Sequence, residues 1–254
     1  MSSATSSATS KGVVIVTGSA QGIGLAIAHR LAKDGFDIML NDITTKTTQL
    51  EEAQTKIVHE TGRRVEIFSG DVSKEEDVKG MVDTTVKTLG GLDVMVANAG
   101  VCTTGPMIDV SVAEWDRLFS INVRGTFLCY KYAAKQMIAQ GRGGRILGAC
   151  SGAGKQGEKF MSAYASTKFA LRGLTQATAQ EIGEHGITVN LYAPGPIDTE
   201  MTRSAVAGIG GGNAEATVAM YTERVALKRF GDVTEIANLV SFIASKDSGF
   251  ITGS

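Results

Sequence analysis

Six short apolar runs recur along the chain, each parted from the next by a longer segment of helical period. They are GVVIVTG (12–18), FDIMLND (36–42), RRVEIFSGD (63–71), LDVMVANAG (92–100), GRILGACS (144–151) and GITVNLYAPG (186–195). Several are apolar almost without a break, which suits strands covered on both faces rather than strands with one wet side. The intervening periods predict helices near 22–34, 46–61, 74–89, 112–140, 161–184 and 233–245. Strand–helix alternation sustained over this distance points to an α/β fold: a doubly wound parallel sheet with helices on both faces.

With 254 residues the chain can bury a large core, and no composition break or internal repeat divides it. One domain over 12–254 is the economical reading, preceded by a disordered tail at 1–11. The tail, MSSATSSATS, lacks the charged and apolar regions of a secretory signal and the arginines of a transit peptide. The stretch 196–230, with GIGGG at 208–212, interrupts the alternation and reads as an inserted, mobile substrate loop. A net charge of -1 gives no basic footprint for nucleic acid and no polybasic patch for a membrane. No apolar run approaches the roughly 20 residues of a membrane span. Cys102, Cys129 and Cys150 are odd in number, far apart and without nearby histidines. They fit neither a disulfide framework nor a metal site, which predicts a reducing, cytoplasmic setting. His29, His59 and His185 have no acidic or cysteine partners at ligand spacing and read as structural or surface residues.

The run VVIVTGSAQGIGLAIA joins a strand, a glycine-rich turn and a helix start. Gly18, Gly22 and Gly24 permit the turn and a close approach of backbone to a pyrophosphate at the positive end of the helix. A glycine turn alone is also an ordinary strand–helix connection. Asp42 adds weight, because it ends the second run 24 residues after Gly18. A carboxylate there can accept hydrogen bonds from an adenosine ribose and would repel a 2′-phosphate. SAQ (19–21) holds no cation for such a phosphate, so NAD(H) is expected rather than NADP(H). Asp71 and Val72 follow the third run and Asn98, Ala99 and Gly100 the fourth, at the strand ends where an open parallel sheet binds ligands. Each could equally be a plain turn.

Tyr164 and Lys168 lie four residues apart on a predicted helix, about 40° apart around its axis. Taken alone they fit a solvated helix face. Together with TGSAQGIG (17–24), the Asp71–Val72 pair, NAG (98–100), Asn122 in INVRGTF, Ser151 and PGPIDT (194–199), they resemble the short-chain dehydrogenase/reductase family in order and spacing. The resemblance runs from Gly12 to Gly253 and is greatest toward acetoin/diacetyl reductases and butanediol dehydrogenases. It implies a Rossmann-type sheet and a catalytic set of Ser151, Tyr164 and Lys168, supported by Asn122. It further implies cofactor contacts from Gly18, Gln21, Gly22, Ile23, Gly24, Asp42, Asp71, Val72, Asn98, Ala99 and Gly100. Tyr164, Lys168, Pro194, Gly195, Ile197 and Thr199 complete that implied set.

The chemistry is of a plausible size. Bringing a phenol from pKa about 10 to about 7 takes roughly 4 kcal/mol, and a cation 5 Å away supplies roughly 3 kcal/mol at an effective dielectric near 20. An ammonium and an oxidised nicotinamide together could acidify Tyr164. Ser151 would bond the substrate oxygen, or act only as a strand-end cap. Asn122 would hold a water beside Lys168, or be a buried amide bonding backbone. Thr199 is placed by the resemblance near the carboxamide, and otherwise caps the next segment. Met201 and Met220 would line a pocket or pack a lid.

The sequence also departs from the family. Ala97 stands where a first Asn is common, and the chain stops at Ser254, so the final edge strand is expected to be missing and the sheet edge uncovered. The resemblance implies a homo-oligomer, a dimer or homotetramer, pairing the helices at 112–140 and 161–184. Three functions are open: an NAD(H)-dependent enzyme interconverting a secondary alcohol and a ketone, on a small diol or hydroxyketone; an NADPH-dependent 3-oxoacyl-thioester reductase; or a catalytically silent nucleotide-binding scaffold. Asp42 opposes the second, and the presence of both Tyr164 and Lys168 opposes the third.

Overall fold

A computed structural model describes residues 9–209 and 214–254 of the chain. The first eight residues, and the part of the expected substrate loop at 210–213, lie outside the described residues. The chain begins with β1 (Val13–Thr17), α1 (Gly22–Asp34), β2 (Asp37–Asp42), α2 (Thr47–Thr61), β3 (Val65–Ser69), α3 (Glu75–Leu89) and β4 (Val94–Ala97). It continues through α4 (Val112–Leu118), a π-helical turn (Phe119–Gly125), α5 (Thr126–Gln140), β5 (Gly144–Ala149), α6 (Ser162–Ile182) and β6 (Ile187–Tyr192). The last helices are α7 (Glu200–Ile209), α8 (Ala214–Arg224) and α9 (Val233–Ala244).

All neighbouring strands are parallel, in the order β3-β2-β1-β4-β5-β6. That is the Rossmann arrangement expected from the alternation. Successive strand side chains point to opposite faces, and β1 shows why its run is apolar throughout. Val14 and Val16 enter a core with Ile27 and Leu31 of α1, Leu50 of α2 and Val240 of α9. Val13 and Ile15 enter the opposite core, with Met81 of α3, Leu128 of α5 and Val189 of β6. Each fully buried aliphatic side chain contributes about 1.5–3 kcal/mol relative to its exposed state. A polar residue at any of these four positions would therefore damage one layer or the other.

Strand order reverses between β1 and β4, so the crossovers leave on opposite sides there and open a cleft at the strands' carboxyl ends. Every predicted strand and helix is present, with the strand runs trimmed by at most three residues at either end. Two predicted elements differ in kind. The single helix expected at 112–140 passes through the π-helical turn between α4 and α5. The substrate loop carries α7 and α8, and its described residues are helical over most of their length.

The sheet edge also differs from expectation. No seventh strand is assigned among the described residues, yet β6 is not bare. Gly253 donates its N–H to Val189 (2.8 Å), Leu191 donates to the carbonyl of Ser254 (2.8 Å), and Asn190 Nδ2 donates to Ile251 (2.7 Å). Buried backbone groups need partners, and the chain's last residues supply them to this edge. Among the described residues, no helix is long and apolar enough to cross a membrane, and no three His, Cys, Asp or Glu side chains gather as a metal site.

Candidate active site

A cavity of about 870 Å³ follows the carboxyl ends of the strands from Asp42, past the glycine turn, to Ser151, Tyr164 and Lys168. Of the residues the sequence singles out as site residues, Asn122 alone is absent from its lining.

At one end the turn after β1 brings Gly18 (φ 63°) and Gly22 (φ 58°) through left-handed backbone that disfavours side chains. Gly24 is required by contact: a Cβ there would lie 2.2 Å from the Gly18 carbonyl and 2.5 Å from Asn98 Nδ2. The N-cap of α1, Gln21, makes no side-chain cap bond, and the first turn of α1 has no acidic residue. The helix therefore presents uncapped N–H groups to the cavity, the arrangement that takes a diphosphate. Asp42 is held by the N–H of Ala20 to Oδ2 (3.1 Å) and of Ile43 to Oδ1 (2.9 Å). Those bonds fix a carboxylate at the cavity wall, where a ribose diol can donate to it.

Asp71 accepts from the N–H of Ser73 (2.9 Å), forming a tight turn beside Val72. Asn41 donates from Nδ2 to the carbonyls of Phe68 (2.9 Å) and Gly70 (3.1 Å), while its Oδ1 is buried without a partner. The uncapped helix, the glycine cradle and the fixed Asp42 carboxylate together fit a dinucleotide. Asn98 is a fastening between strand ends. Its Nδ2 donates to Thr17 (2.9 Å) and Gly18 (3.1 Å), and its Oδ1 accepts from the Tyr192 hydroxyl (2.9 Å). Lys46 was not singled out from the sequence. It lines the Asp42 end and donates to Gln21 Oε1 (3.1 Å), whose Nε2 reaches Glu200 of α7 (3.0 Å).

At the other end, α6 carries Tyr164 in its first turn and Lys168 one turn later, both buried. Lys168 Nζ lies 5.4 Å from the Tyr164 ring centroid and donates to the carbonyl of Ala149 at the end of β5 (2.8 Å). The helix spacing thus places both groups on the cavity face, not on a wet surface. Ser151, just past β5, hydrogen-bonds the Tyr164 side chain, and its hydroxyl also accepts from Ala153 N–H (3.2 Å). Of its two predicted roles, the strand-end cap describes the bond to Ala153.

Burial changes the expected acidity of the pair. It pushes the Tyr164 hydroxyl above its ordinary range, the nearby Cys102 thiol adds to this, and the Ser151 bond offsets only part. It pushes Lys168 down to about 8. An acidified phenol was expected from the ammonium together with an oxidised nicotinamide, and the chain's own groups leave Tyr164 raised. Desolvation disfavours the charged form of both groups and outweighs their attraction.

Asn122 sits in the π-helical turn, fully buried, and grips the loop after β4. Its Oδ1 accepts from Val101 N–H (2.8 Å), and its Nδ2 donates to the Val101 carbonyl (2.9 Å) and to Thr167 (3.1 Å). Of its two predicted roles, the buried amide bonding backbone describes these bonds. A Cβ on Gly100 would come 3.2 Å from Asn122 Oδ1 and 3.6 Å from Lys168 Nζ, so the three are packed together. Thr199 lines the cavity while its hydroxyl accepts from Thr202 N–H (3.2 Å), as a cap for α7. Pro194 accepts from Gly152 N–H (2.8 Å), and Ile197 bridges to Gly231. Met201 lines the cavity, and Met220 is absent from its lining.

The short chain dehydrogenase family model matches residues 12–210. A short-chain dehydrogenase/reductase of Armillaria gallica is 48% identical over 243 residues, covering 95% of this chain and 92% of that protein. A diacetyl reductase [(S)-acetoin forming] of Staphylococcus epidermidis is 40% identical over 247 residues, covering 94% and 93%. Among solved structures, NAD+-bound xylitol dehydrogenase superposes with a TM-score of 0.91 at 33% identity, covering 96% of each chain.

Proposed function

The chain belongs to the short-chain dehydrogenase family, and from that membership we propose that it interconverts a secondary alcohol and a ketone with NAD(H), using Ser151, Tyr164 and Lys168 as catalytic residues. Members of the family are oxidoreductases that bind a nicotinamide cofactor. The observation that carries the reading is the convergence of those three side chains at one end of a cavity whose other end holds a fixed Asp42. The preference for NAD(H) over NADP(H) rests on that carboxylate, which favours a ribose diol and repels a phosphate.

When bound, the nicotinamide supplies the hydride acceptor or donor at C4, and in its oxidised form a positive charge. The Gly18–Gly24 turn and the start of α1 would hold the diphosphate, and Lys168 would bond the nicotinamide ribose. In reduction, Tyr164 is already protonated, because burial holds its hydroxyl acid-weak, and it donates its proton to the carbonyl oxygen. The Ser151 hydroxyl donates to the same oxygen as negative charge gathers there. In oxidation, Tyr164 must first lose its proton, and the Lys168 ammonium stabilises the resulting phenolate. Asn122 acts as a positioning residue, holding the Val101 loop against α6.

The name of the Staphylococcus relative makes a small hydroxyketone the first substrate to try. The test is NADH oxidation over a panel of ketones with wild type and Tyr164→Phe. Wild-type turnover that falls at least a hundredfold in the variant is expected; equal rates would overturn the proposal.

A further inference from the structure

The reactive end of the cavity opens into an arm bounded by four segments: the loop after β4, the start of α6, α7 and α8. Its walls are largely apolar. Cys102 and Met161 pack around Tyr164, and Val206, Ile209, Tyr221 and Val225 add apolar lining from α7 and its neighbour, with Gln156 and Thr202 as polar members of the cavity wall. Thr104 fastens α7 over this loop through the Ala205 carbonyl (3.4 Å). The two arginines that line the mouth are each matched by a carboxylate. Arg224 grips Glu158 through both guanidinium nitrogens (2.5 and 3.2 Å), and Arg117 grips Glu114 in the same way (2.8 Å each). Glu114 is held so firmly by Arg117 and Thr103 that its pKa falls to about 2. The arm therefore offers apolar surface and self-neutralised charge, with no spare guanidinium among its described residues for an anionic group.

A four-carbon hydroxyketone placed with its oxygen on Tyr164 and Ser151 would leave most of that wall facing water. We propose that the substrate is a neutral ketone or secondary alcohol bearing an extended apolar group on the carbinol carbon, and that Val206 and Ile209 set this preference. The inference rests on the reading of Tyr164 and Ser151 given above. Each methylene removed from water against such a wall should raise kcat/KM about fourfold.

The experiment measures NADH-dependent reduction of unbranched 2-alkanones from four to eight carbons, beside acetoin, diacetyl and 7-oxooctanoate, with wild type, Tyr164→Phe, Val206→Thr and Ile209→Thr. The expected result is a rise of roughly two orders of magnitude from butan-2-one to octan-2-one. Octan-2-one should exceed acetoin, and 7-oxooctanoate should fall well below octan-2-one. Val206→Thr keeps the side-chain bulk, Ile209→Thr shortens it by one carbon, and each puts a hydroxyl in the wall, so both should flatten the slope. A flat or falling series, or acetoin as the best substrate, with Tyr164→Phe inactive, overturns this inference and leaves the catalytic reading standing. An unchanged slope in both threonine variants removes the assignment to this wall. Tyr164→Phe as active as wild type would instead overturn the catalytic reading itself.

Discussion

Lys168→Met keeps the length and apolar stem of the side chain and removes its charge, which isolates the electrostatic claim at the centre of the mechanism. The ammonium lies 5.4 Å from the Tyr164 ring centroid. At an effective dielectric near 20, that separation is worth about 3 kcal/mol to a phenolate, or about two pKa units. Burial already raises the phenol, and in the variant only the partial offset from Ser151 remains against that push. Alcohol oxidation should be followed against pH at saturating NAD+. The rising limb, which reports deprotonation of Tyr164 in the complex, is expected to move up by about two units. At neutral pH, kcat/KM should fall about 10- to 100-fold in both directions alike, because an enzyme cannot alter the overall equilibrium. Lys168→Arg, which restores a cation, should bring the limb most of the way back. If the rate falls while the limb stays within half a unit of wild type, Lys168 only supports the fold, and the argument from charge fails.

Asp42→Ala deletes a charged acceptor worth about 1.5–3 kcal/mol, so NADH should bind roughly 10- to 100-fold more weakly and NADPH should gain ground. An unchanged coenzyme ratio in steady-state kinetics would reject the assignment. Gly24→Ala forces a methyl group against the Gly18 carbonyl and should destabilise by about 1–3 kcal/mol, with NADH affinity, read by fluorescence titration, falling at least tenfold. Asp37→Asn tests a purely structural site at the start of β2. Burial pushes the Asp37 carboxyl up, but hydrogen bonds from Arg64 and Arg63 outweigh this and hold it below the ordinary range. A lowered carboxyl stabilises the fold above its unfolded pKa, and the benefit is lost as pH falls through the folded value. The variant should therefore lose about 3 kcal/mol at pH 7 by urea unfolding and converge with wild type in acid; equal stability at pH 7 would count against the buried pair.

The parallel sheet was legible because both its faces are covered, so that runs such as VVIVT announce buried strands. The coenzyme end was legible because its demands fall on local spacing, at Gly18, Gly22, Gly24 and the strand-end Asp42. The π-helical turn was not, since no glycine–proline break in FSINVRG marks a local change of backbone hydrogen bonding. Asn122 was readable as a residue worth singling out but not as a loop clamp, because Val101 and Thr167 are brought to it only by the fold. The same limit hides Lys46 behind Gln21 and Arg224 behind Glu158, pairs separated by 25 and 66 positions. The burial that raises Tyr164 was hidden for a different reason. Two side chains spaced on a helix reveal their attraction, but not how much water the rest of the protein takes away from them.

The Asn98 fastening has a consequence for how activity is acquired. One amide joins the turn after the first strand, 80 positions away, to the hydroxyl of Tyr192 on the sixth, 94 positions away. Such distant contacts form late in folding, since the intervening chain must close first. The glycine turn is thus secured only after the sheet has formed as far as its sixth strand. A partially made or partly melted protein should handle neither coenzyme nor substrate, so that function would appear, and vanish on heating, all at once.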